Sequence, residues 1–299
     1  MTNTDGYSSG VALWSAAAAR AKAAGLDTNA VLRRFVFERF LARVFHDPDA
    51  PWVLKGGTAV LARVHGARTT KDVDLLGELS DLSAAVDALR MASALDLGDH
   101  FRFVITNVAR SLDGAKQPAV DGCRVTIDCY CGAMKKDRFS VDMVTGSLMT
   151  TSPELRTDPV LDLPGLKAPR MRLYPVVDHI ADKLCATQAT YGADGSRPSS
   201  RVRDLVDLVV LAGTQDVDGS ALMTAVRGEW THRSLPGHPT FAPPSAWERL
   251  YPPLARRVPA CAGTTSFADA VAFVGHFLAP VLDGHAGGRR WDASVRAWL

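Results

Sequence analysis

Residues 52 to 76 contain the feature that most restricts the fold of this chain, a short apolar run, a Gly-Gly turn, a helical stretch and an alternating segment in the order WVLKGGTAVLARVHGARTTKDVDLL. In the last segment Val73 and Leu75 alternate with Asp72 and Asp74. Alternation with a period of two is typical of a strand with one buried face. The apolar side chains therefore need a packed layer on one side of a sheet, and the two carboxylates project together from the other side.

The two carboxylates indicate a cation site. Side chains two residues apart on a strand share a face, with Cα atoms about 7 Å apart, and two such carboxylates repel each other unless a cation lies between them. Oxygen ligands are those that hard cations prefer, so Asp72 and Asp74 are candidate ligands for Mg²⁺.

The Gly-Gly turn before this strand indicates a phosphate site, because it lies where a strand passes into a helix. Free backbone N–H groups and the helix dipole at such a point favour a phosphate, and glycine lets the backbone approach it closely. We expect Gly56, Gly57 and the Thr58 hydroxyl to hold phosphate oxygens, with Lys55 as a further candidate for a phosphate contact. A phosphate site followed by a metal-binding carboxylate pair predicts metal-assisted phosphoryl or nucleotidyl transfer.

The pattern of secondary structure changes near residue 165. Before it, alternating segments at 101–109 and 123–132 predict further strands among helices, and strand signals stop by residue 165. Five later segments predict helices: 175–190, 201–212, 218–229, 245–257 and 266–283. The sequence therefore predicts an α/β (α+β) domain over residues 1–165 and a mostly helical domain over residues 166–299.

Composition excludes several classes of protein. The 34 Lys and Arg residues nearly balance 32 Asp and Glu residues, which excludes a uniformly basic protein that wraps nucleic acid. The five cysteines include no CxxC pair, so we expect reduced, buried thiols. No segment predicts a signal peptide or a membrane span, and the expectation is a cytoplasmic protein with no membrane association.

These motifs resemble a known family. GGT, a helix and then T-x-DxD is similar to the first motif of the polymerase-β-like nucleotidyltransferases, in particular the AbiEii toxin group that includes the MenT toxins. The resemblance continues with Lys183 in DHIADKLCA and with Arg201, Asp204 and Asp207 in RVRDLVDLVVL, in the order found in the family.

The resemblance implies a polymerase-β-like nucleotidyltransferase domain with a mixed sheet. It implies that Asp72 and Asp74 bind Mg²⁺, that Lys183 reaches the nucleotide phosphates and that Asp204 is a further acid of the active site. Enzymes of this fold usually add a third carboxylate from a neighbouring strand. Asp128 in RVTIDCY is the candidate for this metal ligand, and a solvated Asp on a strand face is an equally open interpretation.

The resemblance also implies a regulatory position and the partners of the protein. Thr70 corresponds to a hydroxyl that an antitoxin kinase phosphorylates in some toxins of this group, with the adjacent Thr69 as the alternative; a phosphate there would repel the incoming triphosphate. The implied partners are a nucleoside triphosphate, a tRNA 3′ end as acceptor and a cognate antitoxin. The first candidates for contacts with the RNA backbone are Arg33, Arg34, Lys135 and Lys136.

Two alternatives stay open at this point. The same site could modify a protein or a small molecule, or the pocket could be a binding module that holds GTP or an antitoxin without transfer activity.

Overall fold

A computed structural model of the chain describes residues 6–25, 27–64, 66–79, 81–110, 121–157, 159–190 and 197–299. The helices are α1 (Gly10–Ala23), α2 (Thr28–Val44), α3 (Gly56–Arg63), α4 (Leu82–Ser93), α5 (Val176–Gln188), α6 (Val202–Thr214), α7 (Gly219–His232), α8 (Tyr251–Ala255) and α9 (Phe267–Leu282). The strands are β1 (Trp52–Lys55), β2 (Asp72–Gly77), β3 (Phe101–Arg110), β4 (Asp121–Cys131), β5 (Met134–Thr145), β6 (Glu154–Arg156), β7 (Met171–Leu173), β8 (Val217–Asp218), β9 (Arg290–Asp292) and β10 (Ala297–Trp298).

Seven of the described strands form one mixed sheet in the order β3-β4-β5-β2-β1-β7-β6. β2 runs parallel to β5 and antiparallel to β1, and β7 runs parallel to β1. The mixed sheet and its helices confirm the predicted fold class.

One face of this sheet is covered by α1, α2 and α4, whose apolar side chains form a core with it. Val73 and Leu75 of β2 are fully buried in this core, whereas Asp72 and Asp74 are half-buried on the other face. The alternation therefore has the predicted physical consequence, because the pleat of the strand separates the apolar side chains from the carboxylates.

Two arginines of α2 are buried together with a single carboxylate. Arg39 Nε donates to Asp99 Oδ2 at 2.8 Å, and Arg43 Nη2 donates to Asp99 Oδ1 at 2.6 Å and to the Phe101 carbonyl at 2.8 Å. Burial by itself would raise the pKa of Asp99, but hydrogen bonds from Arg43 and the nearby positive charges hold it below its ordinary value. This group joins α2 to the segment that leads into β3.

A second core lies beyond the sheet and is formed mainly by α5, α6, α7 and α9. Trp291 of β9 and Trp298 of β10 are buried in it, and β8, β9 and β10 form a small sheet at its side. Val60 and Leu61 of α3 belong to this second core, whereas Ala59 belongs to the first. The helix that follows the Gly-Gly turn therefore lies between the two cores.

The predicted end of the strands near residue 165 is wrong. β7 lies beyond this point and belongs to the main sheet, and β8, β9 and β10 lie within the part predicted to be helical. Strands of two or three residues are too short to show a period of two in the sequence. The five predicted helices are present, with the segment 245–257 divided into a 3-10 helix (Ser245–Glu248) and α8. The division of domains at residue 165 stays a prediction.

The structure also bears on the cysteines and on membrane association. All five cysteines are buried and free, as the absence of a CxxC pair predicted.

In the ranges that the structure describes, no helix combines the length and the apolar character needed to cross a bilayer.

The buried Asp99 group generates a stability prediction. Asp99→Ala leaves the guanidinium groups of Arg39 and Arg43 buried without their shared carboxylate, which should lower the free energy of unfolding by about 3–5 kcal/mol. Denaturant unfolding measures this loss. Asp87→Ala, on the exposed side of α4, is the matched control, and equal losses in the two variants would contradict the prediction.

Candidate active site

An open cleft of about 840 Å³ lies between the carboxylate-bearing face of the sheet and the helices of the C-terminal half. It is lined by residues of the β1–α3 turn, β2, β5, α5, α6 and the segment around residue 250. Most of the sequence-predicted site residues line this cleft: Lys55, Gly56, Gly57, Thr70, Asp72, Asp74, Lys183 and Asp204. Thr58 and Asp128 do not line it.

Three carboxylates of the cleft lie on two adjacent strands. Asp72 and Asp74 are on β2, and Asp142 on β5 is the direct neighbour of Asp74 in the parallel register of these strands. Both Asp142 oxygens accept hydrogen bonds from Arg124, each at 2.7 Å. Sequence reasoning missed Asp142, although the alternation in Ser140-Val141-Asp142-Met143 is the same signal that identified β2.

The arrangement opposes full ionisation of Asp74. Burial and the negative charges of Asp72 and Asp142 raise its pKa to about 7, although Lys183 and Arg68 act in the opposite direction. A divalent cation would relieve this repulsion, so the donor set fits Mg²⁺ in its chemistry.

The geometry for a metal ion is incomplete as described. Within the described ranges, no group of three His, Cys, Asp or Glu side chains is arranged to hold a metal ion. Both oxygens of Asp142 accept hydrogen bonds from Arg124. Asp72 and Asp74 are the pair of carboxylates whose chemistry suits a divalent cation, and Asp142 lies beside Asp74.

The structure argues against Asp128 as the third metal ligand. Its carboxylate is engaged by Arg138 at 2.6 Å and by Lys135 at 2.7 Å. Asp128 is on β4 and lies opposite Arg138 of β5. Arg138 comes four residues before Asp142 along β5, so Asp128 is well away from Asp142. Asp128 lies on a strand face, as the alternative interpretation has it, but it is buried and ion-paired rather than solvated. Asp142 is the carboxylate that lies beside Asp74.

The two glycines of the turn lie close to side chains inside the protein, and Gly56 is required there. Gly56 has a φ of +57°, and a Cβ atom there would overlap the carboxylate of Asp74. A Cβ atom on Gly57 would lie 2.9 Å from Arg68 Nη2. The turn therefore passes between an acid and a base of the cleft: at Gly56 the Asp74 side chain leaves space for glycine alone, whereas at Gly57 the end of the Arg68 side chain would have to shift.

Two threonines hold Asp72, one through its backbone and the other also through its carboxylate. Thr58 is buried, and its hydroxyl donates to the Asp72 carbonyl at 2.8 Å, so the structure contradicts the expectation that this hydroxyl holds a phosphate. The Thr70 hydroxyl lies within hydrogen-bonding distance of the Asp72 carbonyl at 3.1 Å and of Asp72 Oδ1 at 2.9 Å. The phosphorylation of Thr70 stays a prediction.

Lys183 belongs to a buried network of charges. Its Nζ lies 2.7 Å from Asp204 Oδ1 and 3.0 Å from Asp207 Oδ2, and Arg68 binds Asp207 through two hydrogen bonds of 2.8 and 2.9 Å. Burial alone would lower the pKa of Lys183, but Asp204 and Asp207 hold it above its ordinary value. Burial alone would raise the pKa of Asp207, and the charges of Lys183 and Arg68 lower it to about 2.

This network changes the interpretation of Lys183. Its ammonium group already binds two carboxylates, so it supplies positive charge beside Asp74, and a direct contact with a triphosphate stays a prediction. Asp204 also accepts a hydrogen bond of 2.5 Å from Arg201, whose side chain is 48% exposed. Asp204 therefore positions two cations of the cleft.

Lys55 holds the start of the Gly-Gly turn. Its Nζ donates to Ser147 Oγ at 3.0 Å, lies 3.8 Å from Asp182 and is 4.3 Å from the centre of the Tyr174 ring. Asp182 also pairs with Arg233 at 2.6 Å. Sequence reasoning missed Asp182, because nothing in the local pattern of α5 distinguishes it from a solvated acid.

The basic residues first considered for RNA contacts do not line the cleft: Arg33, Arg34, Lys135 and Lys136. Arg33 pairs with Asp137 at 3.1 Å instead. The arginines that line the cleft are Arg68, Arg201 and Arg203.

The contact between Gly56 and Asp74 generates a prediction. Gly56→Ala should displace the Asp74 carboxylate and abolish activity, because the new methyl group needs the same space. Gly98 has a φ of +67°, and a Cβ atom there would meet nothing within 4 Å, so Gly98→Ala carries only the backbone cost of about 1–2 kcal/mol. Transfer assays together with thermal unfolding separate the two effects, and equal activity losses in both variants would contradict this account.

The pKa of Asp74 generates a second prediction. Folding raises this pKa from 3.8 to about 7, so the folded protein binds the proton more tightly than the unfolded chain. This contribution to stability is present below pH 4 and is lost as the pH rises through about 7. Asp74→Asn should therefore raise the melting temperature at pH 8 in a chelator, with little change near pH 4. An increase of the same size at both pH values would show that the carboxylate charge is not its cause.

Comparison with known proteins identifies the family. The family of the nucleotidyl transferase AbiEii toxin, type IV toxin–antitoxin system, matches residues 39–272, well over half of the chain. No curated protein matches the chain.

Three solved structures are similar to this chain at 15% sequence identity. A Helicobacter pylori protein described as a nucleotidyltransferase has a TM-score of 0.47, with 87% of this chain and 97% of that chain covered. JHP933 from Helicobacter pylori has a TM-score of 0.46, with 87% and 94% covered. MenT4, a nucleotidyltransferase toxin from Mycobacterium tuberculosis H37Rv, has a TM-score of 0.48, with 92% and 99% covered. Because the AbiEii family matches residues 39–272, the chain belongs to the AbiEii family of nucleotidyltransferase toxins of type IV toxin–antitoxin systems.

Proposed function

We propose that the protein transfers a nucleoside monophosphate from a nucleoside triphosphate to the 3′ end of a tRNA, with Mg²⁺ as cofactor, and so blocks translation. The observation that supports this most directly is the cleft, where three carboxylates on adjacent strands face a Gly-Gly turn and several cations. A cognate antitoxin is the expected protein partner, and the cytoplasm, where tRNA and nucleotides meet, is the expected location.

The carboxylates of the cleft are the groups that would bind the Mg²⁺ cofactor. Asp72 and Asp74 would hold Mg²⁺, with Asp142 as the third acid in place of Asp128. Bound Mg²⁺ would neutralise phosphate charge and favour the attack of a hydroxyl group.

The remaining groups bind and orient the substrates. In the transfer, the acceptor hydroxyl loses its proton to water in the open cleft, its oxygen forms a bond to the α-phosphorus, the bond from this phosphorus to the bridging oxygen breaks, and pyrophosphate leaves. The backbone at Gly57 begins a helix and faces the cleft together with Lys55 and Arg201, so this side suits the leaving pyrophosphate. Thr70 orients Asp72 by a hydrogen bond to its carboxylate. Asp204 acts as a positioning residue through Lys183 and Arg201.

The acceptor separates this proposal from its alternatives. A protein or small-molecule acceptor would use the same carboxylates, and a module that only binds GTP or an antitoxin would release no pyrophosphate. Incubation with each α-labelled nucleoside triphosphate, first with total tRNA and then with total protein, distinguishes these outcomes. We expect label in tRNA only, at the 3′ end, with a requirement for Mg²⁺.

Asp72→Ala tests the site within this assay. Loss of the carboxylate removes charge stabilisation worth several kcal/mol, so labelling should fall by about 10³-fold or more. The side chain is half-buried at the cleft and outside the apolar cores, so the circular dichroism spectrum should not change. Asp87→Ala should label tRNA as the wild type does. An Asp72→Ala protein with the wild-type rate would refute the site, and label found only in protein would refute the acceptor.

A further inference from the structure

Asp142 lines the cleft and belongs to the outer face of the sheet formed by β3, β4 and β5. The helices α1, α2 and α4 pack on the opposite face, where Val125 and Ile127 of β4 are fully buried. Arg124, between Cys123 and Val125, points the other way, and its side chain is 56% exposed. Asp142 lies on this same outer face, so the face begins at the carboxylates of the active site.

The register of β3, β4 and β5 defines the side chains of this outer face. Adjacent strands place Arg124 beside Asp142, Thr126 beside Ser140, Asp128 beside Arg138, and Tyr130 beside both Lys135 and Arg102. We call this set the open face; its exposed members are Arg102, Arg124, Lys135 and Arg138. Tyr130 is half-buried.

The open face has an excess of positive charge that extends away from the active site. Its four basic residues exceed its two acids: Arg102, Arg124, Lys135 and Arg138 against Asp128 and Asp142. Arg138 lies four residues before Asp142 on β5, which corresponds to about 13 Å along the strand. The basic positions therefore follow a path that leads to the catalytic carboxylates.

The far end of the path combines a cation with an aromatic ring. The Arg102 guanidinium lies 4.3 Å from the centre of the Tyr130 ring. Aromatic rings and arginines on an open sheet face are the groups on which single-stranded nucleic acids stack. An acidic protein segment would be attracted by the charge alone, whereas RNA would use both the charge and the ring.

The order of the strands provides a separate side of β2 for each substrate, the nucleoside triphosphate and the acceptor RNA. β2, with Asp72 and Asp74, lies between β1 on one side and β5 on the other. The β1 side carries the Gly-Gly turn and Lys55, which suit the triphosphate. The acceptor then has the β5 side available, and this is the side where the open face begins.

We propose that the open face binds the single-stranded 3′ segment of the acceptor RNA and guides its terminal hydroxyl to the carboxylates. This inference rests on the proposed function and adds the surface on which the acceptor lies. Arg138, Lys135 and Arg102 contact backbone phosphates, and Tyr130 stacks on a base. Backbone contacts of this kind give affinity and salt dependence without a choice of sequence.

The double variant Arg102→Ala, Arg138→Ala tests this surface without touching the catalytic groups. Asp128 keeps its ion pair with Lys135 at 2.7 Å, so the strands stay paired. We expect weaker binding of a tRNA 3′-terminal oligonucleotide and a slope of log affinity against log salt that is smaller by about 1.4, from two phosphates at about 0.7 each. Binding of a nucleoside triphosphate analogue should stay at the wild-type level.

Controls separate charge at this face from charge in general. Arg20→Ala, Arg90→Ala removes two exposed arginines from α1 and α4, on the other side of the sheet, and should leave RNA affinity and its salt slope unchanged. Arg102→Lys, Arg138→Lys should restore most of the binding, because phosphate contacts need the charge.

The outcomes distinguish this inference from the proposed function. If the wild type labels RNA and the double alanine variant binds RNA with unchanged affinity and salt slope, the open face is not the acceptor surface, although the proposed function stands. If the wild type neither binds nor labels RNA and instead modifies a protein, both fail. If the double variant unfolds, the single variant Arg102→Ala decides, because it leaves both ion pairs of Asp128 in place: weaker RNA binding with a smaller salt slope supports the inference, and unchanged values overturn it.

Discussion

The repulsion among carboxylates on two adjacent strands is the constraint on which the rest of the site depends. Asp74 and Asp142 are neighbours in register, and Asp72 lies on the same face. Each has a compensating group: Thr70 donates a hydrogen bond to Asp72, Arg124 binds Asp142, and the charges of Lys183 and Arg68 act on Asp74. The apolar core beneath Val73 and Leu75 keeps β2 in place, so the carboxylates cannot separate by moving the strand.

The same constraint connects the two halves of the molecule. Lys183 and Asp207 come from α5 and α6, whereas Arg68 comes from the segment before β2. Buried ion pairs of this kind add little net stability, but the loss of one partner is costly because the others remain buried and charged. The network therefore defines how the helices sit over the sheet, and the cleft exists between them. A variant of Lys183 would affect this packing as well as any contact with nucleotide.

The Gly-Gly turn has a structural reason for its glycines besides the one that the sequence indicated. The sequence indicated that the glycines allow a phosphate to approach. In the structure, the space that a Cβ atom on Gly56 would need is occupied by the Asp74 side chain, and the Arg68 guanidinium lies close to Gly57. Thr58 was predicted from the same motif, but its hydroxyl supports the backbone of Asp72. Side chains of a motif can thus act on each other as well as on the ligand.

Local periodicity and motifs that are contiguous along the chain were enough to predict β2, the strand-turn-helix before it, the helices of the second half and the membership of the family. Only the folded structure shows that Asp142, rather than Asp128, lies beside Asp74. Asp128 and Asp142 both lie on strands with an alternating pattern and look equivalent in the sequence. Which of them lies beside Asp74 depends on the register between β2 and its neighbour β5, which are about 70 residues apart in the chain. The same holds for Arg68 with Asp207 and for Arg124 with Asp142, since an ion pair between distant segments leaves no periodic signal in either of them.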